Sequence, residues 1–108
     1  VTLFRRFSDH IASALDAIAA RDAIPAGLDR RAISVEPPRD PAHGDVATNA
    51  AMVLSKPAGM NPRALAELLA AELVSVAEVE EASVAGPGFI NLRVSADSWR
   101  AELAAIHG

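Results

Sequence analysis

The stretch Gly86-Pro87-Gly88-Phe89-Ile90-Asn91-Leu92 decides how this chain is read. A Gly-Pro-Gly turn feeds a strand whose side chains alternate between two faces. Ile90, Leu92 and Val94 form one set; Phe89, Asn91 and Arg93 form the other. If the first set fills the core, the second shows an aromatic ring, an amide and a guanidinium in one row. Those groups can stack on a base, hydrogen-bond its edge and neutralise a phosphate. A slip of one residue would exchange the faces. It would bury an amide and a guanidinium in place of three aliphatic side chains, so the outward register for Phe89 is the cheaper one.

Working backward from this turn, residues 79–85 read as the partner strand of an antiparallel hairpin. Val79, Ala82 and Val84 anchor it, and Glu80 and Glu81 blur its start. Asn61-Pro62 announces a helix: a capping side chain, then a first-turn proline whose missing N–H is not needed. Leu65, Leu68, Leu69 and Leu73 give that helix an apolar face to about residue 74. Asp45 stands where an N-cap belongs, ahead of a helix expected over 46–54 that Pro57 and Gly59 stop. Residues 37–45, with three prolines and a glycine, read as an irregular loop.

Ile33 and Val35 alternate with Ser34 and Glu36, which predicts a short strand at 32–36 ended by Pro37 and Pro38. Thr2 is placed to cap a first helix over 3–21, with Phe4, Phe7, Ile11, Leu15 and Ile18 at helical spacing. Asp97 or Ser98 starts a last helix through Trp99, Leu103 and Ile106. The elements sum to an α+β fold, a small antiparallel sheet with helices on one face and the other face open.

At 108 residues the chain fits one domain, able to bury roughly two-thirds of its unfolded surface. No apolar run approaches the roughly 20 residues of a membrane-spanning helix. Asp9 and Asp16 interrupt what would be the apolar core of a signal peptide, so no export signal is expected. The chain has no cysteine, which excludes disulfides and thiolate chemistry and fits a cytoplasmic location. The net charge of −4 argues against a general, electrostatically driven nucleic-acid binder. Arginine dominates the basic residues, which suits planar recognition but also fits a compositional bias.

His43-Gly44-Asp45 invites a metal or acid–base reading. The other histidines, His10 and His107, fall on terminal helices without a clustered partner, and no nucleophile motif accompanies the trio. The simpler reading makes Gly44 a turn residue, Asp45 a helix cap and His43 a polar loop residue. Thr48 and Asn49 read as a hydrogen-bonded tie between a helix and its neighbouring loop, in preference to a partner contact.

Three segments in order, Gly44-Asp45-Val46-Ala47-Thr48-Asn49, Asn61-Pro62-Arg63-Ala64-Leu65-Ala66 and Gly86-Pro87-Gly88-Phe89-Ile90-Asn91-Leu92, closely resemble the N-terminal domain of the arginyl-tRNA synthetases. The resemblance implies a domain over 1–96 and a helix over 97–108 leading toward a catalytic domain. It further implies contact with the D-loop of the tRNA for arginine, with Phe89 packing on a nucleotide and Asn91 hydrogen-bonding. Gly86 and Gly88, in the turn that presents them, count among the candidate tRNA-binding positions, and Gly44, Asp45, Thr48 and Asn49 form a structural motif. Arg93 is not part of the shared pattern; its phosphate role comes from strand alternation alone.

The class I signatures are absent from these residues. By the same resemblance the piece is not expected to aminoacylate, has no catalytic or metal-ligating residue and takes no cofactor. ATP and Mg²⁺ are expected for the parent arginine–tRNA ligase, a monomer. Its partners here would be the tRNA and the parent's own catalytic domain, with no membrane. The alternative is a docking module that meets protein and never touches RNA.

Overall fold

The computed structural model describes residues 3–25, 27–38 and 44–96. Three helices and four strands follow in the order α1 (Leu3–Ala20), β1 (Val35–Glu36), β2 (Val46–Thr48), α2 (Ala50–Ala58), α3 (Pro62–Leu73), β3 (Val79–Ala85) and β4 (Phe89–Val94). The strands form one antiparallel sheet in the spatial order β1-β2-β4-β3. All three helices bury apolar side chains in one core cluster shared with a single face of that sheet. This is the α+β arrangement expected from the sequence.

Phe7, Ile11, Leu15 and Ile18 lie one turn apart along α1 and are buried, while Phe4 is only partly covered. Asn61 caps α3, its Oδ1 accepting from the Arg63 and Ala64 amides at 2.9 and 3.4 Å. That satisfies two of the donors a helix start leaves open. Leu65, Leu69 and Leu73 then face the sheet. Against them lie Ile90, Leu92 and Val94 of β4. Burying each aliphatic side chain contributes about 1.5–3 kcal/mol, which sets the register of the central strand.

The region after Gly44 departs from expectation. Residues 46–48 are a strand, and α2 begins only at Ala50. Val46 and Thr48 are buried while Ala47 turns to the opposite face. Val46, Ala47 and Thr48 pair with Leu92, Asn91 and Ile90, and Ala47 and Thr48 also pair with β1. Two β-branched residues, flanked on both sides by strands, gain more from the ladder than from a helical turn. Asp45 therefore does not cap α2. Thr48 Oγ1 instead accepts from the Ala50 amide at 3.2 Å.

Smaller differences have local causes. Pro57 sits in the last turn of α2 without ending it; Gly59, with φ of 69°, does. Strand β1 is shorter than 32–36 because its neighbour β2 offers only three residues. Between Val79 and Glu81 the β3–β4 register shifts. Such a bulge explains the broken alternation at Glu80 and Glu81. The expected last helix and residues 39–43, including His43, lie outside the described residues.

Candidate nucleic-acid interface

Strand β4 is flanked on both sides, so its outward row sits at the middle of the open face. The register sets Glu36, Ala47, Asn91 and Ser83 in one line across all four strands. Phe89 stands opposite Ala85, and Arg93 opposite Glu81. The alanine opposite Phe89 is short, so the ring rises above a low floor.

Phe89 is 42% exposed and is one of two large apolar side chains so open among the described residues. Its neighbour Ile90 is fully buried. Leaving a ring in solvent on a strand that buries three of its six residues' aliphatic side chains contributes little to folding. The turn beneath it is tightly held. Gly88 has φ of 153°, and a Cβ there would lie 2.9 Å from Pro62 Cβ and 3.1 Å from Met52 Cγ. The turn thus rests on the first turn of α3 and on α2 with no room for a side chain. Arg63 Nη1 donates to the Gly86 carbonyl at 2.7 Å and closes the same corner from α3.

Asn91 is on the outward face, but it is not displayed as the sequence led one to expect: only 8% of it is exposed. Glu36, Pro37, Pro38, Ala47, Ala85 and Phe89 surround it and with it line a concavity of about 360 Å³. Among the described residues nothing hydrogen-bonds its side-chain amide. No fully enclosed polar side-chain atom among those residues lacks a partner, so the amide opens to solvent through the concavity. Its donors and acceptor are free to bond water or a polar ligand. Among the described residues the only charged group in the lining is Glu36.

Arg93 lies at the far end of the row. Its Nε is 3.8 Å from Glu81 Oε2, and its side chain is 40% exposed. The opposite charge across the strand pair offsets part of its own, a solvated pair of small energetic weight.

The Gly44–Asn49 segment supports this face from behind and below. A Cβ on Gly44 would meet the Leu92 carbonyl oxygen at 2.8 Å, with φ of 144°, so only glycine lets β2 enter the sheet here. Asn49 Oδ1 accepts from the Ser34 amide at 2.7 Å, and its Nδ2 donates to the Ala32 carbonyl at 3.4 Å. That bond fixes the chain leading into β1, and hence Glu36 and the prolines that wall the concavity.

His10 is not without a partner. Its Nε2 is 2.9 Å from Glu78 Oε1, and Arg6 grips the same carboxylate with Nε and Nη2 at 2.9–3.2 Å. The cluster ties α1 to the start of β3. One carboxylate and one imidazole do not make a metal site, and the described residues contain no group of three potential ligands. Sequence reasoning had no signal for it, because Arg6 and Glu78 are 72 residues apart. Nor did it anticipate Arg63 at the hairpin. No helix of the described residues is long and apolar enough to cross a membrane.

Comparison with known proteins agrees with this fold. A family model described as the arginyl tRNA synthetase N terminal domain matches residues 5–94. The arginine–tRNA ligase of Jannaschia sp. (strain CCS1) is 55% identical over 104 residues, 96% of this chain and 18% of that protein. That of Novosphingobium aromaticivorans is 58% identical over 106 residues, 98% of this chain and 18% of that protein. Among solved structures, arginyl-tRNA synthetase from Plasmodium falciparum superposes with a TM-score of 0.75 at 15% identity, covering 95% of this chain and 18% of its own. The Thermus thermophilus arginyl-tRNA synthetase gives 0.62 at 27% identity, covering 94% and 15%. The chain therefore spans about a fifth of the length of the relatives it matches.

Proposed function

The chain belongs to the arginyl-tRNA synthetase N-terminal domain family, and from that premise we propose that its open sheet face recognises the D-loop of a tRNA for arginine. One observation carries the reading: an exposed Phe89 stands beside a concavity into which the nearly buried Asn91 amide opens unpaired. A base stacked on the ring can lower its edge onto that amide. Gly86 and Gly88 hold the turn that presents the ring, and Arg93 extends the row toward the RNA backbone. The aminoacylation reaction, with its ATP and Mg²⁺, is assigned to parts of the ligase outside these residues.

The net charge of −4 limits counterion release, so the domain alone binds weakly. Stacking contributes about 1–3 kcal/mol per base, and tethering to other tRNA-binding surfaces raises the effective concentration. A purely protein-docking face would account for Phe89, but not for a polar group kept nearly buried and unused.

The test is Phe89→Ala in the full-length ligase. Charging of the tRNA for arginine is expected to fall about ten-fold or more, in line with loss of one stacked base, while ATP-dependent activation by the same enzyme changes far less. Equal loss in both assays, or no loss in either, overturns the D-loop reading and leaves docking.

A further inference from the structure

We infer that Arg63 is a further backbone-binding residue of this interface: it meets the phosphate of the nucleotide whose base stacks on Phe89. The inference rests on the RNA reading above and assigns the orientation of that nucleotide on the face. Arg63 is in the first turn of α3, whose open amides Asn61 already caps. What projects there is the guanidinium. One N–H is spent on the Gly86 carbonyl at 2.7 Å; four of the five donors of the group remain.

Its charge is also unspent. Arg6, Arg21, Arg30 and Arg31 each pair with a carboxylate, Glu78, Glu72, Asp16 and Asp29 respectively. Arg93 has Glu81 opposite it. Among the described residues Arg63 has no carboxylate partner, and it is exposed. It also holds the turn that leads into the ring. The carbonyl it holds belongs to Gly86, where a Cβ would lie 3.9 Å from Phe89 Cδ2.

The concavity beside Phe89 sets the orientation of the base. Its one charged lining group among the described residues is the Glu36 carboxylate, which repels a phosphate and accepts from a base amino group. The base edge therefore points into the concavity, and its phosphate lies over the Gly-Pro-Gly turn, at Arg63. The same guanidinium that positions the turn neutralises the backbone, a double task that suits a planar fork of fixed geometry.

The experiment measures tRNA affinity of the full-length ligase between 50 and 200 mM salt, for wild type, Arg63→Gln, Arg63→Lys and Phe89→Ala. Each phosphate contact contributes about 0.7–0.9 to the slope of log K against log salt. Arg63→Gln is expected to weaken binding and lower the slope by about that amount. Arg63→Lys keeps the slope, and Phe89→Ala weakens binding at unchanged slope. Circular-dichroism spectra that match wild type report intact folding in all three. An unchanged slope in Arg63→Gln, with Phe89→Ala still weakened, overturns the assignment of Arg63 and leaves the RNA reading standing. Affinity unchanged in both variants overturns the two together.

Discussion

The Asp45 carboxylate accepts a hydrogen bond from the Val94 amide at 2.9 Å, while the Asp45 amide donates to the Leu92 carbonyl at 2.8 Å. A side chain thus prolongs the β2–β4 ladder by one rung where Gly44 lets the backbone approach. The residue that looked like a helix cap is a sheet terminator.

That assignment makes a direct prediction. Asp45→Ala leaves the Val94 amide unpaired and costs about 1–2 kcal/mol. Asp45→Asn keeps an acceptor and recovers most of it. Urea unfolding gives the cost, and amide exchange at Val94 locates it: faster exchange there is expected, with the start of α2 unaffected. Fraying of α2 instead would restore the capping role.

Phe89 and Ile90 are adjacent in sequence and opposite in burial. Ile90→Ala opens a cavity between β4 and the helices and destabilises the fold by about 2–5 kcal/mol. Phe89→Ala changes stability by roughly 0.5 kcal/mol or less, as an open surface position should. Paired denaturation curves check this. A large loss at Phe89 would mean that the ring is structural.

Gly88 tests how tightly the turn is seated. The Cβ of Gly88→Ala comes within 2.9 Å of Pro62 and adopts a φ of 153°. Strain and crowding together cost about 2–4 kcal/mol, read from the midpoint of urea unfolding. In the ligase the same change is expected to weaken tRNA binding, because the turn that moves also carries Phe89.

Asp29, in the connection between α1 and β1, has a perturbed carboxyl. Asp29 is held below the ordinary value of 3.8 by the Arg31 side chain first and the Arg31 amide second, and Arg31 is raised in turn. A lowered carboxylate contributes stability above its unfolded-state value and loses it as the pH falls through the folded-state one. Both groups are fully exposed, so solvent and salt screen the effect. An NMR titration of the Asp29 carboxyl is expected to show a midpoint below 3.8 that returns toward it in Arg31→Ala.

The hairpin of β3 and β4, the cap and apolar stripe of α3, and most of α1 were legible because their signals are local. A turn triplet, an Asn-Pro start and a 3.6-residue period each act within a few residues. The outward direction of Phe89 followed from the cost of the alternative. Residues 46–48 were misread for the complementary reason. Val46-Ala47-Thr48 is too short to carry a period, and its strand state depends on β1 and β4 arriving on either side of it.

What the sequence determined by itself is the composition of one strand: three aliphatic residues to bury, alternating with a ring, an amide and a guanidinium. Tertiary structure decided what each of the latter can do. It placed β4 at the centre of the sheet, sank Asn91 into a concavity made by residues from three other strands and a proline loop, set Glu81 against Arg93, and brought Arg63 to the turn from 23 residues away. Alternation is a property of the backbone and can be read along the chain. Burial, charge pairing and proximity belong to groups distant in sequence, and they exist only once the sheet has closed over its core.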